Sequence, residues 1–532
     1  PDGRICVNKS TINADGTITV ALTEQVLASA GTVRADISLL DGKAVLSSAT
    51  FFIMVESSPA SEGTLSTDEF LMLIETTNEA IDAIHSMDDA VENVLNGMDE
   101  VKAFVGYTDE DILGLCVDYE NKKFTRLAGA IGKTAGEDFD CFEMFGGRKR
   151  CNVSDDGTIT AFYGDEAYSD TGSNGQVMVY QPCFYYKVVP IKFDKNVDGL
   201  GYHIRKANYY VSDTPKTGFK RHPAFYDENG NEIDYVLYSA YEGSLYEVSS
   251  NSYVHDGVDT STEFDIHSDL ICSVANQKPV TGVHKNLTKA NLDLLAQNRG
   301  QGWHLETIKM LSANQLLMII EFGEMNVQDA VGKGVVAFSS NSSYNASSLT
   351  GSTSALGNAT GEASATINEI AGVETEYTED GKVAVSYRVV ENPWGNLYRF
   401  INGINIWGDG TMAGGQPYIA DDFDFNASKH TENYKPVGFT LPNGTGYISA
   451  MGYGSKDYDW LFIPSEVNGN SALPVGDYTD TTHDVNGYRM IMHFGAWHNN
   501  QAAGIFDCIC IYGPGGKSNN LGGRLVYIPT AE

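Results

Sequence analysis

From Ser66 to Val105 the chain carries no proline and a single glycine, Gly97, while apolar residues recur on a heptad at Phe70, Ile74, Ile81, Ile84, Val91, Leu95, Met98 and Val105. Thr77, Asp88 and Lys102 fill the remaining positions of the stripe. A lone helix with so narrow an apolar seam cannot bury it. The pattern therefore predicts self-association as a coiled coil, with Asp88 fixing the register at some cost in stability. Packing of the stripe on a neighbouring domain is the other physical solution. The repeat itself does not set the number of strands, although a fibrous assembly favours three.

This helix divides the chain, and 532 residues exceed what one hydrophobic core organises. Ahead of it, strand-like runs at Arg4–Val7, Thr17–Leu22, Thr32–Leu40 and Ala49–Glu56 alternate with turn residues at Asn13–Gly16 and Asp41–Gly42. They predict a β-sandwich fragment over residues 1–57, followed by a stalk over 58–105. A β-rich neck is expected over 106–190, with strands at Gln176–Tyr180 and Cys183–Val189. The rest, 191–532, reads as one long domain with helices over Thr288–Asn298 and Ser312–Phe322; Leu316, Leu317, Ile319 and Ile320 mark the second as buried. Ser339–Ser364 is rich in Ser, Gly, Asn, Thr and Ala and is expected to form a surface loop or to lack order. The fold class predicted is multidomain and mainly β, with α+β parts. The 55 glycines and 29 tyrosines fit turn-rich β structure and an adaptable binding surface.

A formal net charge of −35 repels nucleic acid and anionic membranes, so neither is an expected partner. No apolar run is long enough to span a bilayer, the strongest being Phe51–Val55, and membrane insertion is not expected. No signal peptide opens the sequence, and Pro1 in first place points to a native start further upstream. Eight scattered cysteines without paired CxxC spacing predict neither a zinc site nor a disulfide framework, and fit synthesis in a reducing cytoplasm. Asp194-Lys195-Asn196-Val197-Asp198-Gly199 opens like a calcium loop, but its twelfth position is Arg205 where a bidentate glutamate is required, which makes it a hairpin turn. Asp227–Asn231 is read in the same way. The Asp421–Asp424 cluster is read as a solvated loop. No cofactor or metal is expected, and no nucleophile elbow, phosphate loop or metalloprotease motif occurs. The acidic residues are too many for a glycosidase pair to be chosen by spacing, which leaves a tail-spike-like depolymerase without support. Cys508-Ile509-Cys510 is the one catalytic temptation, since strand alternation puts both sulfurs on one face.

Phe494-Gly495-Ala496-Trp497-His498-Asn499-Asn500-Gln501-Ala502-Ala503-Gly504-Ile505-Phe506, followed by Leu521-Gly522-Gly523-Arg524-Leu525-Val526, resembles the variable region of retroelement-diversified proteins such as phage tropism determinants. Further likeness lies in Gly302–Leu305, Glu321–Glu324 and Glu391–Asn396, so the resemblance spans roughly the last 240 residues. It implies a C-type-lectin-like receptor-binding domain over 191–532, with a variable region at about 490–525. It also implies a scaffold of Trp497, Gly504, Phe506, Gly523 and Arg524 carrying a solvent-facing variable face. That face comprises Phe494, Ala496, His498, Asn499, Asp507, Cys508, Cys510, Tyr512, Gly513, Pro514, Ser518 and Asn519. In such systems randomised template adenines yield nearly any residue except Lys, Gln, Glu, Met and Trp. Asp507, Cys508, Cys510, Tyr512, Gly513 and Pro514 fall in the allowed set, with Ile509 and Ile511 as inward positions between them. Gln501, Lys517 and Met492 fall outside it and are not counted as variable.

Val20–Leu27 and Thr32–Val55, through Ala30-Gly31-Thr32-Val33-Arg34-Ala35-Asp36-Ile37, resemble the N-terminal domain of phage baseplate upper proteins. Together the resemblances imply a tail-fibre receptor-binding protein, not an enzyme, made in the host cytoplasm and carried on the virion. Its expected partners are two further copies in a homotrimer, baseplate or tail proteins, and a host-surface protein or glycan. The alternatives are an enzyme similar to formylglycine-generating enzymes, using Cys508 and Cys510, and a bacterial surface adhesin.

Overall fold

The computed structural model describes residues 10–14, 18–20, 31–41, 44–55, 97–254, 264–282, 287–340, 344–370, 372–411, 414–425, 432–481 and 485–531. Two compact units result, Pro1–Asp99 and Glu100–Glu532. The whole is mainly β, with short helices set among several sheets.

In the first unit Ser10–Ile12 pairs antiparallel with Ile18–Val20, and Gly31–Asp41 pairs with Ala44–Val55 from Gly31↔Val55 inward. The last strand starts at Ala44, ahead of the expected Ala49: Ser47 and Ser48 stay in the ladder by pairing with Leu39 and Ser38. The run expected at Arg4–Val7 and most of the stalk lie outside the described residues. Residues 97–105 are helical. Ala103 anchors the end of this helix: it is buried beside Tyr107, Ile112 and Tyr210, and its carbonyl accepts Asn208 Nδ2 (3.1 Å) and the Tyr210 hydroxyl (3.2 Å).

The second unit is built on a mixed twelve-stranded sheet. Along it run Tyr185–Lys195, Tyr202–Ser212, Gly446–Tyr453, Tyr478–Thr481, Cys508–Cys510, Met492–His493, Tyr398–Phe400 and Leu521–Gly522. The neck border expected at residue 190 falls inside the strand Tyr185–Lys195, which pairs along its length with Tyr202–Ser212. Residues 100–532 are therefore one compact unit, with no break at that border. The turn between these strands is the predicted hairpin: Asn196 N donates to Gly201 O at 2.9 Å, and Arg205 Nε donates to Asp194 Oδ2 at 2.8 Å. Asp227 likewise closes a turn, its Oδ1 accepting the backbone N–H groups of Asn229 and Asn231.

A six-stranded sheet orders Trp303–Leu305, Leu525–Tyr527, Tyr235–Ser239, Gln176–Pro182, Lys149–Val153 and Ile159–Phe162. The helix Ile308–Phe322 is buried over most of its length, with Leu316, Leu317, Ile319 and Ile320 fully covered. It begins ahead of the expected Ser312 because Thr307 caps it, accepting Met310 N at 3.3 Å, and it ends on Gly323 at φ 75°. The helix Lys289–Gln297 starts at its predicted cap, Thr288.

The first half of the low-complexity stretch, 344–353, departs from the expected surface loop, whereas 354–364 lies largely at the surface. Asn345, Ser347, Ser348 and Thr353 are fully buried. Most of their polar groups are spent inside the fold, Ser347 Oγ being without a partner among the described residues: Asn345 Nδ2 donates to Pro279 O (2.7 Å), and Thr353 donates to the Glu391 carboxylate through both its N–H and its hydroxyl. A polar composition can be buried when each group finds a partner.

Leu316→Ala should cost about 2–5 kcal/mol, and Thr307→Ala about 1 kcal/mol, in denaturant unfolding of the full chain. Equal costs would contradict this account of the helix.

Candidate functional site

The residues singled out by sequence fall on one stretch, between the strand Met492–His493 and the strand Leu525–Tyr527. Its frame is held from beneath by Arg524, which is fully buried. Nη1 donates to the carbonyls of Ser239 and Ala240 (both 3.2 Å), and Nη2 donates to those of Glu391 and Asn392. Arg399, also fully buried, donates to the same Asn392 carbonyl at 2.6 Å and lies 3.9 Å from the centre of the Phe494 ring. Two guanidiniums thus fix the loop 391–396. That loop in turn fixes 494–497: Gly395 N donates to Phe494 O (2.9 Å), and Trp497 N donates to Asn396 O (3.0 Å). Phe494 pays for this with a left-handed backbone, φ 89°.

The other frame residues are also interior. Trp497 and Phe506 are fully buried. Phe506 N donates to Asp477 Oδ2 at 2.7 Å, and any side chain at Gly504 would collide with that same carboxylate. A Cβ at Gly523 would come within 2.7 Å of Leu292.

The expected variable positions separate into two groups. His498, Asn499, Tyr512, Gly513, Pro514, Ser518 and Asn519 are partly exposed. Tyr398 ties the two ends of this rim: its hydroxyl accepts Asn499 Nδ2 (2.8 Å), and its N–H donates to Asn520 O (2.9 Å). Asn519 Nδ2 donates to Tyr344 O at 2.7 Å. Phe494, Ala496, Asp507, Cys508 and Cys510, in contrast, are in the interior. The expectation that they face solvent is corrected by the sheet. Cys508–Cys510 runs parallel to Tyr478–Thr481 on one side and antiparallel to Met492–His493 on the other, and packing covers both of its faces. Both sulfurs do share a face, 3.7 Å apart, but that face is inside. Ile511, expected inward, is 39% exposed because the strand ends at Cys510. The seven described cysteines are free thiols.

Beneath the rim, burial is the first cause pushing the carboxyls of Asp507 and Asp477 well above the ordinary carboxylate range. For Asp507 the neighbouring Asp477, Cys508 and Asp480 add to it. Neither Asp507 oxygen has a hydrogen-bond partner among the described residues. Burial pushes His493, on the adjacent strand, down to about 3, so it stays neutral. Sequence reasoning missed Asp477, Tyr398 and Tyr344, whose roles come from partners distant in the chain and carry no local signal.

A match to a class of phage-related domain comes at the start of the chain: residues 1–82 match the BppU N-terminal domain. The segments Val20–Leu27 and Thr32–Val55 lie within it. Among solved structures the chain is similar to three Major Tropism Determinant variants. The P3c variant is 13% identical, covering 71% of each chain at a TM-score of 0.23. The M1 variant is 14% identical over 72% of this chain and 71% of its own, and the I1 variant 14% over 72% of each, both at a TM-score of 0.23. Likeness at that TM-score defines neither fold nor function. No curated protein matches the sequence.

The Asp507 carboxyl generates a pH prediction. Its folded value is raised, so its stabilising contribution is complete below the ordinary value of 3.8 and is lost as pH rises through the raised value. Asp507→Asn keeps the neutral form. It should melt at a higher temperature than the wild type near neutral pH and converge with it in acid. Parallel melting curves at all pH values would show that Asp507 is not buried in this way.

Proposed function

We propose that the chain is a phage tail-fibre receptor-binding protein. In this reading residues 1–57 attach to the baseplate, 58–105 form a trimeric coiled-coil stalk, and a C-type-lectin-like tip binds a protein or glycan on the host surface. The observation that carries it is the contrast within residues 494–524 between a fully buried frame and a partly exposed rim. Exposed side chains on a rigid frame change at little cost in stability, and specificity is then set by the rim alone. His498, Asn499, Tyr512, Gly513, Pro514, Ser518 and Asn519 are the contacts we assign to the ligand. Phe494, Ala496, Asp507, Cys508 and Cys510 shape the ground beneath them. Diversification by a retroelement supplies the changes, and trimerisation supplies avidity through effective concentration. Met98 and Val105, seam positions on the helical segment that ends the stalk, are 54% and 71% exposed and favour burial against further copies.

The thiol environment speaks against the enzymatic alternative. Burial is the first cause pushing the Cys508 thiol well up, and the neighbouring Cys510 reinforces it. A nucleophilic cysteine requires the opposite, an accessible thiolate.

Sequencing the 3′ end of the gene across a phage or bacterial population tests the tip. Substitutions should concentrate at codons 498, 499, 512, 513, 514, 518 and 519, spare Trp497 and Arg524, and trace to adenines in a nearby template repeat. An invariant rim would sink the diversification reading. Sedimentation of the full chain should give three times the monomer mass, and Ile81→Asp should release monomers; a monomeric wild type refutes the stalk.

A further inference from the structure

Two sequence features that the tip does not use, Gly302–Leu305 and the Asp421–Asp424 cluster, meet at a cavity of about 440 Å³. Small-molecule sites commonly have volumes of roughly 300–1,000 Å³. Lys289 and Asp293 come to it from the helix Lys289–Gln297, His304 from the strand Trp303–Leu305, and Asn402, Phe423 and Phe425 from two loops.

The polar groups here are of both kinds. Asp293 is nearly buried and already organised: Oδ1 accepts Asn402 Nδ2 (2.6 Å) and Leu305 N (3.3 Å), and Oδ2 accepts Gln297 Nε2 (3.0 Å). His304 is 6% exposed and its Nε2 lies 3.0 Å from Glu228 Oε1, which leaves Nδ1 for another partner. Among the described residues His304 Nδ1 and Lys289 Nζ have no hydrogen-bond partner. Lys289 is 1% exposed and sits in the first turn of its helix, where the helix dipole disfavours a cation. Burial lowers its ammonium to about 8. A buried ammonium in so unfavourable a place stabilises nothing by itself.

Phe423 and Phe425 complete the wall. Their ring centres lie 5.4 and 5.5 Å from that of His304 and 5.6 Å from each other. An aromatic face is negative and attracts the weakly positive C–H face of a sugar ring. Asp293, Asp424 and Glu228 oppose an anion, and Lys289 opposes a cation. A hydroxyl, which donates and accepts, satisfies such a mixed set.

We propose that this cavity binds a single neutral sugar residue of a glycan, stacked on Phe423 and Phe425 and hydrogen-bonded by Lys289, Asp293 and His304. The site shares no residue with the 494–524 rim and does not rest on the receptor-binding reading.

Saturation-transfer NMR of the full chain with glucose, galactose, N-acetylglucosamine, rhamnose and glucuronate, each at millimolar concentration, tests the proposal. At least one neutral sugar should receive saturation, strongest at its ring C–H protons, and glucuronate less. Phe423→Ala should weaken that binding about tenfold, whereas His498→Ala on the rim should leave it unchanged. Lys289→Met removes the ammonium but keeps the stem: it should abolish binding while raising the melting temperature, an opposition that a purely structural lysine would not give. No transfer to any neutral sugar, preference for glucuronate, or binding undiminished in both folded variants overturns the proposal.

Discussion

The Arg524 guanidinium is the constraint on which the rest of the second unit depends. It is fully buried, and it reaches four carbonyls that belong to two distant parts of the chain, 239–240 and 391–392. A buried cation without such partners would cost several kcal/mol, so the carbonyls must stay where the guanidinium finds them. Through Asn392 the same constraint extends to Arg399, and from there to the Phe494 ring. The loop 391–396 is thus a rigid support, and the segment above it takes its shape from that support and not from its own propensities. The left-handed Phe494 is the clearest sign of this.

Much of this was legible in the sequence wherever a local rule applied. Thr288 announces the helix behind it, and the apolar run at Leu316–Ile320 announces a buried one. The missing glutamate at Arg205 reduces an apparent calcium loop to a hairpin, and Arg205 is in fact the partner of Asp194. The likeness of Trp497, Gly504, Phe506, Gly523 and Arg524 to a known frame points to residues that are all interior.

Local rules failed where partners decide burial. Alternation along Cys508–Cys510 correctly put the sulfurs on one side, but it could not say that both sides are covered, since strands on either hand come from 478–481 and 492–493. The low-complexity stretch misled for the same reason: the Asn345 amide, the Ser348 backbone N–H and the Thr353 hydroxyl find Pro279, Asn396 and Glu391, which no window of sequence displays. The border placed at residue 190 cut a strand in two because its pairing partner lies beyond the turn.

The amides of Asn499 and Asn519 reach the Tyr398 hydroxyl and the Tyr344 carbonyl, while the rim positions between them stand on backbone that is held from below. This divides the rim by how freely evolution can search it. His498 and Pro514 hold no such side-chain tie, so on the reading proposed above they would be the freer positions. On the reading proposed above, changes at Asn499 or Asn519 would be filtered twice, once by a ligand and once by the contact each side chain loses. The repertoire open to such a surface is therefore narrower than the product of its positions, and its hardest limits lie at the two asparagines.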